Sequence, residues 1–279
     1  MGMPLVSILM TAYNREKYIA DAIESVLLLS YTNFELIIVD DCSKDNTIQI
    51  AKKYEANDSR IKVYENEINL GDYPNRNKAA GYAKGKYLKY LDSDDMIFPG
   101  SLSFMVNTME QYPDAGLGVS SRTVTTTTYL TSKQAYQLHF FERGLLDNGP
   151  TGTIINTEKF IHCGGFKAIR NVSDLDMWLR MAAKYPVIEM PKDLIYWREH
   201  EGQEINIAPE LYAEYNLAIL EENLFDTCCP LDDKEIQYIV SKFRRITARG
   251  VLKILIKKKK LQLFLKVRKK YKLEVKDFF

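Results

Sequence analysis

Tyr90-Leu91-Asp92-Ser93-Asp94-Asp95 places three carboxylates directly after a short apolar run. The run predicts a buried strand, so the aspartates lie at its end. Carboxylates this close repel one another and raise each other's pKa unless a cation or hydrogen-bond donors neutralise them. The segment therefore predicts a site for a hard divalent cation; the alternative is an acidic turn that caps the helix following residue 99.

Apolar runs and amphipathic stretches alternate upstream of this segment, which predicts alternating strands and helices. The predicted strands are residues 6–10, 34–39, 61–64 and 87–91, and the predicted helices are residues 18–29, 46–54 and 75–83. Such alternation implies right-handed crossovers and a mainly parallel sheet flanked by helices, the α/β class.

Polar residues follow three of these predicted strands. Thr11 and Tyr13 come after the first, Asp40 and Asp41 after the second, and the aspartate segment after the fourth. In open parallel sheets, ligands bind beyond the carboxyl ends of the strands. A shared binding site explains this pattern better than chance placement of turn residues.

The second half of the chain is less regular. Its pattern predicts helices at 99–111 and 175–184, strands at 117–121, 153–155, 187–190 and 194–197, a glycine turn at 164–166, and helices from 209 onward. Residues 123–128 are threonine-rich and predict an extended or loop segment. Residues 122–150 show no interpretable functional pattern.

The composition is that of an ordinary globular protein, because 46% of the 279 residues are hydrophobic and 27% are charged. Its four cysteines lack C-x-x-C spacing, which favours reduced thiols in a cytosolic protein over a zinc site or disulfides. No apolar run approaches the roughly 18 residues that span a bilayer, and the first run lacks the features of a signal peptide.

The charge is distributed unevenly. Residues 242–279 carry 15 Lys/Arg and 2 Asp/Glu, a net +13, whereas residues 1–241 carry a net −12. Residues 250–272 mix apolar side chains with the lysine block 257–260, which predicts a basic amphipathic helix on an anionic membrane surface. The alternative is an extension that packs on its own domain or on a partner subunit in a homo-oligomer. Nucleic-acid binding is not expected, since the tail lacks a recognised motif.

Several motifs together resemble glycosyltransferase family 2, whose members have the GT-A fold and use nucleotide-sugar donors. The motifs are residues 6–14, 38–45, 66–71, Arg76-Asn77, 81–91, Gly164-Gly165-Phe166 and 173–178. Each is weak alone, but their order and spacing are specific over roughly residues 4–200. The resemblance implies a GT-A catalytic domain at 1–205, with a nucleotide-binding half at 1–95 and an acceptor half at 96–205. A helical extension then covers 206–279 and is basic from 242.

The resemblance also implies roles for individual residues. The nucleotide-binding residues would be Thr11, Tyr13, Asp41, Arg76 and Asp94, and Asp41 would accept a hydrogen bond from the base. Asp40 is expected instead to brace its loop through backbone amides. The alternatives are packing under the loop for Tyr13 and a surface charge for Arg76.

For the metal, the resemblance implies Asp95 as a direct ligand of Mn²⁺ or Mg²⁺, with His200 as a further candidate and a surface histidine as its alternative. Asp92 would act through water or the ribose. The cation would stabilise the negative charge that develops on the departing diphosphate.

Asp174 matches the catalytic base of inverting members, and Ser173 stands where the family often has Glu. The alternative for Asp174 is a helix N-cap. Asp176 and Trp178 are secondary candidates on the following helix. Trp178 would either stack on a sugar or pack in the core.

These expectations describe an inverting, metal-dependent glycosyltransferase of cell-envelope polysaccharide synthesis. Its donor is expected to be a UDP-sugar, its acceptor a glycan or lipid-linked saccharide, and its location cytoplasmic, peripheral on the inner face of the membrane. The alternative is a non-catalytic nucleotide-sugar-binding or scaffold protein, which would not need Asp174. A processive synthase would need a Gln-x-x-Arg-Trp motif, and a dehydrogenase would need glycines after the first strand; the sequence has neither.

Overall fold

Strands and helices alternate through the first half of the computed structural model, which describes residues 2–169, 172–200 and 209–278. The elements are β1 (Val6–Ala12), α1 (Ile19–Leu27), β2 (Phe34–Asp40), α2 (Thr47–Asn57), β3 (Ile61–Glu65), α3 (Asp72–Gly81) and β4 (Tyr87–Tyr90). Every predicted element of this half is present. Helix α3 begins three residues earlier than predicted, because Gly71, with a φ of 86°, turns the chain into it.

The second half contains all the predicted strands and several short elements that were not predicted. Its elements are β5 (Met96–Ile97), α4 (Ser101–Gln111), β6 (Leu117–Ser120), β7 (Thr128–Leu130), α5 (Ser132–Gln137), β8 (Thr153–Asn156), α6 (Thr157–His162), α7 (Ser173–Lys184), β9 (Val187–Met190) and β10 (Ile195–Tyr196). A π-helical turn at Leu138–Arg143 and a 3-10 turn at Pro150–Gly152 precede β8. Elements β5, β7, α5 and α6 are additions to the prediction.

Eight strands form one sheet in the order β3-β2-β1-β4-β8-β6-β9-β7. The first four are parallel, β8 is antiparallel to both β4 and β6, β6 and β9 are parallel, and β7 is antiparallel to β9. The predicted mainly parallel sheet is therefore confirmed. Because β8 reverses direction between β4 and β6, those two strands run the same way and end at the same edge.

Strand side chains alternate between two core clusters, one on each face of the sheet. In β1, Leu9 joins one cluster, whereas Ile8 and Met10 join the other. In β2, Ile37 packs on the side of Leu9, and Ile38 packs on the opposite side. Both faces are thus buried, and polar side chains gather where the strands end.

Helices α8 (Pro209–Leu224), α9 (Asp233–Lys258) and α10 (Leu261–Lys270) form the C-terminal extension. Leu224 and Ile239 belong to the main core. The beginning of the extension therefore packs on the body of the protein.

Farther along the extension, Val251, Val267 and Tyr271 form a separate small core. Among the described residues, no helix combines the length and the apolar character that a membrane-spanning segment requires. All four cysteines are free thiols.

Candidate active site

The turn after β4 gathers the three predicted carboxylates. The Asp95 amide donates to the Asp92 carbonyl at 2.9 Å, which closes the turn, and the Asp92 amide donates to Thr151 Oγ1 at 2.9 Å. One oxygen of each of Asp92, Asp94 and Asp95 lies within 4.8 Å of the others. Hard oxygen ligands in this arrangement suit a divalent cation such as Mg²⁺ or Mn²⁺.

Asp94 is held from two distant parts of the chain. Its Oδ2 lies 3.0 Å from Arg15 Nε and 3.0 Å from His200 Nε2. The imidazole of His200 also stacks on Tyr18, with 4.7 Å between ring centroids. His200 therefore lies beside the cluster, where it was expected, and its observed partner is Asp94.

Asp92 and Asp95 have opposite electrostatic surroundings. Burial works to raise the pKa of Asp92, but the Arg76 guanidinium, 2.7 Å from its Oδ1, lowers the pKa overall. Burial and the charges of Asp92 and Asp94 raise the pKa of Asp95 to about 7, although the Arg198 amide donates to its Oδ1 at 3.0 Å. Without a cation the cluster therefore resists full ionisation.

The free energy of unfolding, measured without metal, tests the raised pKa of Asp95. Between about pH 4 and 7, the folded protein keeps a proton on Asp95 that the unfolded chain has released, because its pKa rises from 3.8 to about 7. The contribution of Asp95 to the free energy of unfolding therefore falls as pH rises through that window. We expect Asp95→Asn, in EDTA at pH 8, to be more stable than the wild type by on the order of 1–3 kcal/mol. Equal melting temperatures at pH 8 would contradict the raised pKa.

Arg76 is buried, so the alternative of a surface charge is wrong. Its side chain is 8% exposed; Nε donates to Asp72 Oδ1 at 2.8 Å, and Nη1 pairs with Asp92. Its guanidinium lies 5.8 Å from the centroid of the Tyr90 ring. Arg76 is therefore a fixed positive charge next to the carboxylates.

Lys89 is a functional candidate that the sequence analysis missed. It is fully buried, and its Nζ donates to the Tyr90 carbonyl at 2.7 Å and to the Thr151 carbonyl. Burial lowers its pKa to about 7, against the charges of Asp92 and Asp95. The sequence did contain a signal for it, since a lysine within an otherwise apolar predicted strand is unusual.

The two aspartates after β2 organise neighbouring loops. Asp40 accepts hydrogen bonds from the Ser43 amide at 2.8 Å and the Ser43 hydroxyl at 2.5 Å, which is the bracing role expected of it. Asp41 accepts from Asn66 Nδ2 at 2.7 Å and from the amides of Leu70 and Gly71 at 2.8 and 2.9 Å. Asp41 thus anchors segment 66–71, and a base would have to share its carboxylate with that segment.

The loop after β1 presents the other nucleotide candidates. Tyr13 is 44% exposed, so its ring is not packed under the loop, and Thr11 is partly buried. Arg15 Nη1 donates to the Tyr13 carbonyl at 3.1 Å while its Nε holds Asp94. Arg15 therefore couples this loop to the carboxylate cluster, a link that local sequence pattern did not reveal.

Asp174 lies inside the first turn of α7, whose N-cap is Val172. The N-cap alternative for Asp174 is therefore wrong, and the helix starts earlier than predicted. Burial raises the pKa of Asp174 to about 6, while the Leu175 amide, which donates to its Oδ1 at 2.8 Å, and the Arg76 charge lower it. A carboxylate with a raised pKa is a better proton acceptor than a solvated one.

The side chains of Asp176 and Trp178 are both fully buried. Asp176 pairs with Lys167 at 3.0 Å and with Arg180 at 2.7 Å. The Trp178 indole donates to the Asn148 carbonyl at 2.7 Å. Trp178 has no exposed ring face for a sugar, and both residues hold α7 in place.

Replacing Asp176 should test this structural role. Asp176→Asn leaves Lys167 and Arg180 without their buried counter-charge, which typically costs about 3–5 kcal/mol. Urea unfolding measures the loss. The control Asp193→Asn changes a carboxylate that is 78% exposed, and it should shift the free energy of unfolding by under about 0.5 kcal/mol. Equal effects of the two variants would contradict the structural role.

Comparisons with known proteins place the first part of the chain in one family of similar sequences. The model of the family "Glycosyl transferase family 2" matches residues 7–173. The Escherichia coli protein UDP-Glc:alpha-D-GlcNAc-diphosphoundecaprenol beta-1,3-glucosyltransferase WfgD is 44% identical over 105 residues, 38% of this chain and 41% of that protein. The chain spans between about a third and two thirds of the length of several curated relatives that it matches.

Solved structures show the same fold. S. aureus TarS 1–349, in complex with UDP-GlcNAc, superposes with a TM-score of 0.74 at 20% identity and covers 94% of this chain and 79% of that one. Mannosyltransferase PcManGT from Pyrobaculum calidifontis, in complex with GDP-Man and Mn2+, gives a TM-score of 0.69 at 16% identity and covers 89% and 72%. The sheet and its flanking helices therefore form the GT-A fold, and a helical C-terminal region follows them.

Proposed function

Because the chain belongs to glycosyltransferase family 2, we propose that it is an inverting, metal-dependent glycosyltransferase that moves a sugar from a nucleotide-diphosphate donor to a hydroxyl group. The observation that carries the proposal is the convergence of three carboxylate oxygens within 4.8 Å at the end of β4. Arg76 connects this cluster to Asp174, since its charge acts on both Asp92 and Asp174.

The chemistry of the residues fits a divalent cation. Asp92, Asp94 and Asp95 supply only oxygen ligands. Burial raises the pKa of Asp95, and so do the charges of Asp92 and Asp94, which a cation would neutralise. A bound Mn²⁺ or Mg²⁺ would stabilise the charge that develops on the leaving diphosphate. That PcManGT was solved with Mn2+ supports this choice.

In the proposed reaction, the acceptor oxygen forms a bond to the anomeric carbon from the face opposite the diphosphate. The bond between that carbon and the phosphate oxygen breaks, and its electron pair leaves with the nucleoside diphosphate. Asp174 accepts the proton of the acceptor hydroxyl. Its pKa of about 6 leaves it ionised at neutral pH and still basic enough to take the proton as the hydroxyl becomes acidic.

We propose uridine as the base of the donor, supported by the UDP-sugars in the names of WfgD and the TarS complex. Melting temperatures of the full chain with UDP, GDP or dTDP, with and without Mn²⁺, test the donor class. A ligand present at 100 times its Kd stabilises the native state by about 2.7 kcal/mol. UDP with Mn²⁺ should give the largest increase. A larger increase with GDP would overturn uridine, and no increase with any nucleotide would overturn the donor class.

The proposed acceptor is a lipid-linked saccharide, reached by an enzyme bound peripherally to a membrane. The diphosphoundecaprenol acceptor in the name of WfgD supports this. In the extension, Ile246, Ile256 and Leu261 are each more than half exposed, and Lys253 and Lys257 are exposed on the same helix as the two isoleucines. Exposed apolar side chains among lysines are typical of helices that lie on anionic lipid.

Vesicle binding tests the membrane contact. Each lysine near an anionic surface contributes about 1 kcal/mol, so Lys253→Gln, Lys257→Gln and Lys259→Gln together should weaken binding on the order of 100-fold. Co-sedimentation with vesicles of phosphatidylglycerol and phosphatidylcholine measures the change. The control triple variant, Lys52→Gln, Lys53→Gln and Lys62→Gln, removes the same charge from α2 and β3. Equal loss in both variants would show attraction by overall charge and would contradict a specific contact.

A further inference from the structure

Strands β4 and β8 stop pairing before they reach the carboxylate cluster. Their antiparallel pairing joins Tyr87 to Asn156 and Leu88 to Ile155, and it ends there. Beyond this point β4 leads into the turn that carries the three aspartates, and the 3-10 turn Pro150–Gly152 lies directly before β8. Backbone carbonyls at such an end need donors from elsewhere, because a buried carbonyl without a partner is unfavourable.

Lys89 supplies donors to both chains at this end. Its Nζ donates to the Tyr90 carbonyl at 2.7 Å and to the Thr151 carbonyl. Lys89 and Thr151 are both buried. An ammonium has three N–H donors and a neutral amine has two, so Lys89 can pair with both carbonyls in either protonation state. The side chain therefore ties the end of β4 to the turn before β8.

Thr151 extends this connection to the aspartates. Its Oγ1 accepts the Asp92 amide at 2.9 Å, and its hydroxyl also interacts with the carboxylates of Asp92 and Asp95. The Asp95 amide in turn donates to the Asp92 carbonyl. Thr151 thus contacts Lys89 through its backbone carbonyl and the two aspartates through its side chain. A shift of Thr151 should therefore change the spacing of these carboxylates.

The stability of the core does not account for a lysine at this position. A buried ammonium is unfavourable unless a counter-charge lies against it. The Nζ of Lys89 contacts two carbonyls, and the charges of Asp92 and Asp95 act on it without forming an ion pair in the described part of the chain. An apolar side chain would fill the same space without this penalty. The cost of burying Lys89 therefore indicates a role in the adjacent site.

We propose that Lys89 is a positioning residue for the metal site: it fixes Thr151 so that Asp92 and Asp95 keep the spacing that a divalent cation needs. The inference rests on the proposed function, because it concerns the cation of that site. Lys89 acts through Thr151 and is not itself a ligand. Since divalent cations bind carboxylate oxygens at defined distances, a small shift of Thr151 should weaken binding of the metal.

Mn²⁺ binding by the Lys89→Met variant tests this role. The full chain is titrated into Mn²⁺ in the presence of UDP, and electron paramagnetic resonance reports the free ion. Methionine keeps an unbranched side chain of similar length and removes the donors, so we expect Mn²⁺ binding to weaken about tenfold or more. Tighter binding would show that Lys89 acts only as a charge that repels the cation, and it would overturn the proposal.

Lys159→Met is the matched control. Lys159 Nζ also donates to two backbone carbonyls, those of Pro113 and Ala115, at 2.9 and 3.0 Å. Both carbonyls precede β6 and lie at the edge of the sheet opposite the aspartates. Lys159→Met should therefore leave Mn²⁺ binding unchanged. An equal loss in both variants would show a general effect on the fold and would overturn the positioning role.

Variants of Thr151 test the same connection from its other end. Thr151→Val removes the hydroxyl and should weaken Mn²⁺ binding, whereas Thr151→Ser keeps the hydroxyl and should bind like the wild type. Because Lys89 and Thr151 act in one series of contacts, the double variant Lys89→Met/Thr151→Val should lose little more than either single variant. Losses that multiply in the double variant would overturn the connection.

Binding of Mn²⁺ by the wild type separates this inference from the proposed function. If the wild type and Lys89→Met bind Mn²⁺ equally well with UDP, the positioning role falls and the metal site stands. If the wild type binds no Mn²⁺, the metal site falls, and the role of Lys89 falls with it. Should Lys89→Met not fold, the comparison of Thr151→Val with Thr151→Ser decides: equal Mn²⁺ binding by these two would overturn the positioning role.

Discussion

Asp174→Asn is expected to lower kcat by about 10²–10⁴-fold, the usual contribution of a general base. Asparagine keeps the shape of the side chain but cannot accept the proton of the acceptor hydroxyl. UDP binding with Mn²⁺ should stay within about twofold, because Asp174 acts on the acceptor and not on the nucleotide. Release of UDP from a UDP-sugar in the presence of acceptor measures kcat, and calorimetry measures nucleotide binding.

The pH dependence gives a second readout of Asp174. Because its pKa is about 6, the base is protonated in acid, so kcat of the wild type should fall as pH drops below about 6. The control Asp233→Asn also changes an acidic residue in the first turn of a helix. Normal turnover by Asp174→Asn, or an equal loss in Asp233→Asn, would place the base elsewhere.

Asp95→Asn is expected to abolish the metal-dependent reaction, with a loss of about 10³-fold or more in kcat/KM. Oriented charges that stabilise a developing anion typically contribute about 10²–10³-fold each, and loss of the ligand also weakens cation binding. The same variant should be more stable than the wild type without metal. If the variant is inactive but more stable than the wild type, its loss of activity comes from the site and not from unfolding.

The matched control for Asp95 is Asp114→Asn. Asp114 is exposed and precedes β6, so it lies at the amino end of the sheet, opposite the carboxylate cluster. It should keep wild-type activity and metal dependence. Wild-type activity in Asp95→Asn, with an unchanged requirement for Mn²⁺, would remove Asp95 from the metal site.

Local sequence pattern was sufficient to predict eight of the ten strands that the structure describes, and the edge of the sheet at which the candidate residues gather. Strands β1 and β2 are apolar runs buried on both faces, and such runs end where Thr11, Asp40 and Asp41 begin. The aspartate cluster follows β4 for the same reason. Fold class and the family were therefore predictable, because both depend on the order of motifs along the chain.

The partners of the carboxylates were not predictable, because they lie far away in sequence. Arg15 is 79 residues from Asp94, and the Arg198 amide is 103 residues from Asp95. Thr151 meets Asp92 across 59 residues, from a position just after the segment 122–150 that has no interpretable pattern. The Thr151 contact forms because β8 pairs with β4 and the 3-10 turn Pro150–Gly152 directly precedes β8.

Burial also changes the chemical properties of single residues, and the sequence alone does not show which residues are buried. Asp174 has the pKa of a usable base because it is desolvated, and Lys89 is buried inside a strand. Helix α5 was missed even though Thr131 and Gln134 form a capping box, which is a readable signal. Its apolar stretch was too short to show helical periodicity.

Electron paramagnetic resonance of Mn²⁺ tests the central claim most directly. Free Mn²⁺ is titrated with the full chain, with and without UDP, and the fall of its signal reports the bound ion. The account predicts that wild type with UDP binds about one Mn²⁺ per chain and that Asp95→Asn does not. Equal binding by the two proteins, or no bound Mn²⁺ in wild type with UDP, would contradict a cation held by these carboxylates against a diphosphate.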